Sequence, residues 1–147
     1  MPADSWDTAT AVLRLATQIV EGVQQGVAEA GFDDIRPVHG FAFARLSVAP
    51  ATTAQLAEHL GITKQATSEL VHNLVDRGYL TRISDPSDGR ARLLVLTARG
   101  DACTRAARNA ATHTVNSWQQ QITPQQFTSL GDALAAVATP GHLRPAW

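Results

Sequence analysis

Apolar residues recur at helical spacing along much of the chain. Between residues 12 and 27 they fall three or four positions apart, as they do on one face of a helix, and Gly31 follows as a stop. The same spacing over residues 35–46 predicts a second helix, with Pro37 tolerated in its first turn. The N-terminal third of the chain therefore predicts two helices.

A pair of short helices is predicted next. Thr52 stands three residues before Gln55, the spacing of a capping box, and Gly61 closes this helix. Thr63 is placed to cap a following helix, "KQATSELVHNLVDR", whose end is marked by Gly78. Its inward-facing side chains are predicted to be Ala66, Leu70, Val71 and Leu74. Two helices joined by the turn "GIT" form a helix-turn-helix candidate.

The pattern then changes to that of a β-hairpin. "YLTRIS" and "ARLLVLT" are rich in β-branched and aliphatic residues, and "DPSDG" between them is turn chemistry. Thr97 is placed to cap a long helix that reaches about Gln121, a rod of about 36 Å. Thr123, Pro124 and Gln126 predict the start of a last amphipathic helix. The predicted fold is mainly α with a small β-hairpin.

Composition bounds the classes of protein that this chain fits. A length of 147 residues with 44% apolar content suits one domain without disulfides. No signal-like or membrane-spanning segment is evident, so a soluble cytoplasmic protein with no membrane partner is expected. Cys103 is alone and the five histidines are scattered, so no metal site and no cofactor is predicted. No catalytic motif is present, which argues against an enzyme.

The second helix of the helix-turn-helix pair carries a polar face. Lys64, Ser68 and His72 repeat every four residues, with Gln65 and Glu69 beside them. Any surface helix has such a face, but Lys and Gln at the N-terminal end are suited to base edges and phosphates in a major groove. The net charge of −1 is a mild argument against a nucleic-acid binder, although the location of charge matters more than its sum.

The hairpin carries the other candidate contacts. Arg90 and Arg92 lie near its tip and Arg82 lies on the preceding strand, while Asp88 is two residues from Arg90. Asp88 and Arg90 could form an exposed ion pair worth at most about 1 kcal/mol. A wing that follows a helix-turn-helix has another use, because an arginine at its tip can enter the minor groove. Asp88 would then hold the guanidinium of Arg90 in position.

The helix-turn-helix and the hairpin together resemble a known family. The stretches "LAEHLGITKQATSELVHNLVDRGYLTR" and "DPSDGRARLLVLTARG" are similar to the winged helix-turn-helix of MarR-family bacterial transcription regulators, whose wing has a DxR element and an LTxxG. Those elements match Asp88, Arg90, Leu96, Thr97 and Gly100. The resemblance covers nearly the whole chain. It implies one domain over 1–147, with a winged lobe at 33–97 and dimerisation helices at 1–32 and 98–147.

The resemblance also implies a function. It implies a homodimeric, ligand-responsive repressor of transcription that binds a palindromic operator in double-stranded DNA, with half-sites roughly 34 Å apart. The predicted DNA-binding residues are Thr63, Lys64, Gln65, Thr67, Ser68, His72, Arg82, Asp88, Arg90 and Arg92. Residues 61–98 hold five basic and four acidic side chains, a net charge of only +1, so few phosphate contacts and a shallow salt dependence are predicted.

The resemblance also implies regulation by a small molecule. Family members often release DNA when a small aromatic or phenolic compound binds between the dimerisation helices and the winged lobe. The candidate ligand-binding residues are Trp6, His39, Phe41, His113 and Trp118. An aromatic or histidine side chain at an apolar-face position is more often ordinary core than a ligand contact. Two alternatives stay open: redox sensing through Cys103, and a winged-helix module that binds protein without sequence-specific DNA binding.

Overall fold

Residues 4–143 form six α-helices and one two-stranded antiparallel sheet. The computed structural model describes residues 4–143 of the chain. Within them the elements are α1 (Ser5–Glu29), α2 (Pro37–Val48), α3 (Thr53–Leu60), α4 (Lys64–Asp76), β1 (Leu80–Asp85), β2 (Asp88–Leu96), α5 (Ala98–Ser117) and α6 (Pro124–Val137). The predicted class, a mainly α winged helix-turn-helix with flanking helices, is confirmed.

The helix starts follow from their N-cap residues. Thr52, Thr63 and Thr123 each accept a hydrogen bond from the backbone N–H three residues on, as the sequence predicts. Asp4 does the same for the N–H of Asp7, so α1 begins at Ser5 rather than near residue 12. The periodicity did not reveal this first stretch because its side chains are exposed and carry no apolar stripe.

The long helix α5 is shorter than predicted. It ends at Ser117 and continues as one turn of 3-10 helix, Trp118–Gln120, instead of running as α-helix to Gln121. The N–H of Gln121 donates to the carbonyl of Trp118 at 2.9 Å, which tightens the last turn before the cap of α6. At 1.5 Å per residue, the helix is about 30 Å long.

The chain divides into two compact units. The helical unit contains residues 4–33 and 106–140, and the lobe contains residues 34–105 together with 141–143. The lobe therefore includes α2, α3, α4, the hairpin and the first two turns of α5. The predicted limits of the winged lobe and of the dimerisation helices remain a prediction, since contacts inside one chain do not define a dimer.

In the helical unit, small residues bring α1 and α5 together. A Cβ added at Gly22 would overlap the Thr114 hydroxyl, and one at Gly26 would overlap the Ala110 methyl. Gly22 and Gly26 lie one turn apart on α1, as Ala110 and Thr114 do on α5. The absence of side chains at these two positions is what allows the helices to approach so closely.

The core of the lobe is built from all of its elements. It contains the fully or nearly fully buried Phe43, Leu56, Leu60, Val71, Leu74, Tyr79, Leu80 and Leu94. Ala51, just before α3, forms a two-way bridge with Leu94 of β2, through N···O distances of 3.3 and 2.7 Å. The wing is thereby attached to the helix-turn-helix by backbone hydrogen bonds as well as by apolar packing.

Candidate nucleic-acid interface

Helix α4 packs on the lobe core through one face only. Thr67, Val71 and Leu74 are each fully buried. Lys64, Gln65 and Ser68 lie on the exposed side. The predicted inward position of Ala66 is wrong: this residue is exposed and Thr67 takes its place in the core. The polar face of α4 is thus free of intramolecular packing along its first two turns.

Thr67 has to be removed from the predicted set of DNA contacts. Its side chain is fully buried, and its hydroxyl donates to the carbonyl of Thr63 at 2.8 Å. That bond satisfies the hydroxyl inside the helix and allows a polar residue to pack in the core. Threonine and alanine differ little in size, so the apolar pattern of α4 did not distinguish which of the two faces inward.

The first turn of α4 is shaped by its cap. The hydroxyl oxygen of Thr63 accepts from the N–H of Ala66 at 3.0 Å, so Thr63 positions the helix start. Lys64 and Gln65 follow directly and are exposed. The remaining N–H groups and the positive end of the helix dipole point the same way, which favours a phosphate near these side chains.

His72 lies further along the exposed face and has a partner within the helix. Its Nε2 is 3.3 Å from a carboxylate oxygen of Asp76, and both side chains are largely exposed, at 72% and 66%. An exposed pair one turn apart contributes little to stability and is easily exchanged for another partner. His72 therefore remains a candidate contact, with Asp76 as its partner in the free protein.

The wing is a regular ladder at its base and irregular at its tip. Pairs run from Leu80 opposite Leu96 to Ser84 opposite Arg92, and Asp85 then pairs with Asp88 across the turn. Residues 89–91 of β2 consequently have no counterpart on β1, and Arg90 lies in this bulge. A bulge redirects the side chains of the strand that carries it, so Arg90 is not held in the ladder.

Two aspartates organise the tip through backbone hydrogen bonds. The Oδ1 atom of Asp85 accepts from the N–H and the hydroxyl of Ser87, at 2.9 and 2.8 Å, and these bonds lower the pKa of the Asp85 carboxyl. Asp88 Oδ1 accepts from the backbone N–H of Arg90 at 3.1 Å. Among the described residues, Asp88 contacts this amide and not the guanidinium. The prediction that Asp88 aims the guanidinium of Arg90 is corrected: Asp88 sets the backbone at Arg90.

The other two wing arginines share one face of the hairpin. Arg82 is opposite Leu94 in the register, and Arg92 is two residues from Leu94 on the same strand. Since side chains alternate along a strand, both arginines lie on the same face of the hairpin as Leu80 and Leu94. Those two leucines are buried. Both arginines are exposed, as is Arg90. The wing thus presents three exposed guanidinium groups.

The LTxxG element closes the base of the wing. The Thr97 hydroxyl donates to the carbonyl of Gly78 at 2.5 Å and accepts from the N–H of Gly100 at 3.1 Å. A Cβ at Gly100 would overlap the carbonyl oxygen of Tyr79. Thr97 therefore caps α5 and ties it to the start of β1, while Gly100 provides room for the Tyr79 backbone.

The sequence did not predict a polar cluster that lies at this base of the wing. The buried Tyr79 hydroxyl donates to Asp34 Oδ1 at 2.6 Å and accepts from Arg99 Nη2 at 3.0 Å. Arg77 donates to the Asp34 carbonyl at 2.7 Å. The hydrogen bond from Tyr79 is the main cause that lowers the pKa of Asp34, while burial raises the pKa of Tyr79. Only tertiary contacts join Asp34 to residues more than forty positions away, so no local pattern indicates them.

The five predicted ligand-binding residues are divided between the two units. Trp6 is 73% exposed, His113 is exposed and Trp118 is half-buried, all in the helical unit. His113 lines a groove between α1 and α5, with Gln25, Glu29 and Asn109 as its polar neighbours. In the lobe, His39 is buried and Phe41 half-buried. Their joint role in ligand binding stays a prediction.

Cys103 has neither feature that a redox sensor needs. The side chain is 1% exposed, and burial raises the pKa of its thiol to about 11, with the charge of Asp34 acting in the same direction. A reactive cysteine is accessible and has a lowered pKa. The burial and the raised pKa of the thiol therefore argue against redox sensing through Cys103.

Two further observations concern the described part of the chain. Within residues 4–143, no three His, Cys, Asp or Glu side chains come together in a way that could hold a metal ion. In the same range, no helix combines the length and the apolar character required to cross a bilayer.

A helix-turn-helix with an exposed polar second helix, followed by an arginine-bearing hairpin, defines a winged helix-turn-helix protein. The model of the MarR family matches residues 34–91, which span α2 to the tip of the wing. The winged helix-turn-helix lobe of this chain is thus similar to the MarR family over these residues, in agreement with the resemblance found in the sequence.

Named relatives agree with this assignment. The HTH-type transcriptional repressor Rv2887 of Mycobacterium tuberculosis is 38% identical over 63 residues, which are 42% of this chain and 45% of the relative. A repressor of Mycobacterium bovis, Mb2911, matches over the same length with the same identity. The chain thus aligns with somewhat less than half the length of these curated relatives.

Solved structures show the same fold over most of the chain. RV1404 from Mycobacterium tuberculosis has a TM-score of 0.74 at 24% identity, covering 96% of this chain and 99% of that one. Wild-type MarR from E. coli has a TM-score of 0.71 at 16% identity, with 89% and 96% coverage. CouR from Rhodococcus jostii RHA1, solved with p-coumaroyl-CoA bound, has a TM-score of 0.67 at 20% identity, with 97% and 99% coverage.

Proposed function

We propose that this protein is a sequence-specific DNA-binding repressor of transcription. The observation that carries the proposal is the joint exposure of the N-terminal part of α4 and of three arginines on the wing that follows it. A helix of this kind reads the major groove through its first turns, and arginines on a wing suit the narrow, electronegative minor groove. The repressors matched in the mycobacteria support the direction of regulation. The protein acts on DNA in the cytoplasm and catalyses no reaction.

The residues proposed to contact DNA fall into two groups. Lys64, Gln65, Ser68 and His72 are assigned to the major groove, with Thr63 at the cap as a phosphate contact; Arg82, Arg90 and Arg92 are assigned to the wing. Asp88 supports the wing through the backbone of Arg90. Glutamine pairs well with adenine and lysine with guanine or phosphate, so α4 supplies the sequence preference and the wing mainly affinity.

The active species is proposed to be a homodimer on a palindromic operator. Large apolar side chains are exposed on both terminal helices: Trp6, Val12 and Leu13 on α1, and Leu134 and Val137 on α6. No side chain of α6 is buried within the described chain, although its apolar residues recur at helical spacing. An amphipathic helix with an uncovered apolar face needs a partner, and a second copy supplies it.

The proposal extends to a small aromatic or phenolic effector. CouR, with the same fold, was solved with the aromatic thioester p-coumaroyl-CoA. Trp6, His39, Phe41, His113 and Trp118 are the residues proposed to respond to such a compound. An aromatic ligand suits them because rings and imidazoles stack well on one another.

The test starts with selection of DNA fragments by the purified protein, followed by titration of the selected fragment with and without phenolic acids. Arg90→Ala is expected to weaken operator binding by roughly 1 to 3 kcal/mol. Arg105→Ala is the matched control, because it removes the same charge from the lobe outside the helix-turn-helix and wing. Equal binding by the two variants, or selection of no sequence, would support the alternative of a protein-interaction module.

Salt dependence offers an independent check of the interface. With a net charge of only +1 over residues 61–98, each subunit neutralises few phosphates, so the slope of log affinity against log salt should be shallow. A slope that corresponds to about ten or more phosphate contacts per dimer would contradict this interface.

A further inference from the structure

The polar cluster around the Tyr79 hydroxyl joins four parts of the lobe. Asp34 precedes α2, Arg77 caps the C-terminal end of α4, Tyr79 begins the chain that leads into β1, and Arg99 lies in the first turn of α5. The Tyr79 side chain is 0% exposed. Asp34 and Arg99 are themselves exposed, so the cluster is a junction between a buried tyrosine and charged side chains at the surface of the lobe, and none of its residues is among those proposed to touch DNA.

Tyr79 makes both its polar and its apolar contacts at this junction. Its hydroxyl lies between Asp34 and Arg99, donating to one at 2.6 Å and accepting from the other at 3.0 Å. Its ring is 5.6 Å from the ring of Phe43, and the Arg99 guanidinium carbon lies 4.5 Å from the ring centroid. One side chain thus bridges an acid and a base from distant parts of the chain.

We propose that Asp34, Tyr79 and Arg99 form a latch that positions α4 and the wing for DNA recognition. Arg77, at the end of α4, bonds to the Asp34 carbonyl and lies 3.7 Å from its carboxylate. Tyr79 starts the wing, and its carbonyl accepts from the N–H of Thr97, at the end of the hairpin, at 3.0 Å. Opening the latch would free the end of the recognition helix and the base of the wing together.

Such a latch affects specific binding more than nonspecific binding. Base recognition requires the helix and the wing to hold one relative orientation, whereas attraction to phosphates tolerates a range of orientations. If the protein adopts the binding-competent orientation only part of the time, its apparent affinity for the operator equals the intrinsic affinity multiplied by the fraction of time spent in that orientation. The three latch residues are thus positioning residues that act through α4 and the wing without touching DNA. This inference rests on the proposed function.

The DNA arm of the test compares Tyr79→Phe with the wild-type protein. Phenylalanine keeps the ring contacts with Phe43 and Arg99 and removes only the hydroxyl. Operator affinity should fall about five- to tenfold, while affinity for an unrelated duplex should change less than about twofold. Equal losses on both duplexes, or no loss on either, would overturn the inference. Thermal unfolding of each variant checks that binding is measured on folded protein.

The spectroscopic arm needs no DNA. Tyr79 is the one tyrosine of the chain, so the absorbance of tyrosinate during an alkaline titration reports on it alone. Burial and, after it, the hydrogen bond to the Asp34 carboxylate raise the pKa of Tyr79, so Asp34→Asn should lower that pKa. Asp33→Asn removes the same charge one residue away, from an exposed side chain, and should leave the titration nearly unchanged. If the two variants titrate alike, the latch does not form.

The two arms separate the possible failures. A wild-type protein that selects no DNA sequence overturns the proposed function and the role of the latch in recognition, whatever the titration shows. A wild-type protein that selects an operator, together with a Tyr79→Phe variant that binds it equally well, overturns the latch and leaves the proposed function standing. Asp34→Asn also serves as the second DNA-binding variant if Tyr79→Phe does not fold.

Discussion

His39 makes the stability of the lobe depend on pH, because its imidazole is buried in the folded protein. Its side chain is 2% exposed, and its Nδ1 accepts from the backbone N–H of Arg36 at 3.0 Å. Burial lowers its pKa from 6.5 to about 4, and the positive charges of Arg36 and Arg77 act in the same direction. The folded protein therefore keeps this imidazole neutral well below the pH at which the unfolded chain takes up a proton.

The sign and the size of the effect follow from this difference. The unfolded chain binds the proton as the pH falls through 6.5, and the folded chain binds it only near pH 4. The stabilising effect of the neutral side chain is complete above 6.5 and is lost as the pH falls toward 4. The loss reaches about 3 kcal/mol below pH 4 and is about 2 kcal/mol between pH 7 and pH 5.

The assay is urea unfolding, followed by circular dichroism, at pH 7 and pH 5 and at one protein concentration. His39→Gln is the informative variant, because a glutamine at this position can still accept from the N–H of Arg36 and does not titrate. Its free energy of unfolding should change little between the two pH values. His113→Gln, at an exposed site, should keep the wild-type difference.

The pH window is selective because the pKa values of Asp34 and Asp85 are lowered. Those carboxyl groups titrate below the range of the assay and contribute little to the difference between pH 7 and pH 5. If His39→Gln loses as much stability as the wild-type protein between these pH values, the attribution to His39 is refuted.

Three further predictions test other parts of the structure. Gly100→Ala should destabilise the protein by about 2 kcal/mol or more in thermal melts, because the new Cβ would overlap the Tyr79 carbonyl oxygen. Gly131→Ala in α6 is the control: a Cβ there meets nothing within 4 Å, so this variant should be neutral or slightly stabilising. The Cys103 thiol should react with a thiol reagent in urea and hardly at all in native buffer; rapid native labelling would contradict its burial. Thr123→Ala should cost about 1 kcal/mol by loss of the α6 cap, measured by chemical denaturation; an unchanged midpoint would mean that this cap contributes nothing.

Much of the lobe could be predicted because its signals are local. The capping residues Thr52 and Thr63, the left-handed Gly61 and the turn chemistry of residues 85–89 act within a few positions of themselves. The same holds for the polar face of α4 and for the arginines of the wing, since side-chain periodicity follows from helix and strand geometry alone. Their exposure agrees with the sequence prediction; their contacts with DNA remain proposed.

Predictions failed where two local choices had similar energies. Ala66 and Thr67 both fit the inner face of α4, and the helix phase in the folded lobe buries Thr67. Asp88 is two positions from Arg90 in the sequence, a spacing that allows contact with either the amide or the guanidinium, and in the folded turn its carboxylate accepts from the amide. In each case the sequence spacing allows either contact, because hydrogen bonding to a neighbouring backbone group competes with side-chain pairing.

The sequence by itself determined the order of elements, the helix caps and the side chains that the lobe exposes, because these depend on interactions between residues a few positions apart. Only the tertiary structure decided which distant groups meet: Asp34 with Tyr79 and Arg99, and Gly100 with the Tyr79 carbonyl. It also decided that the Cys103 side chain is buried. Those contacts depend on how the elements pack, and a buried polar group must find its partner there.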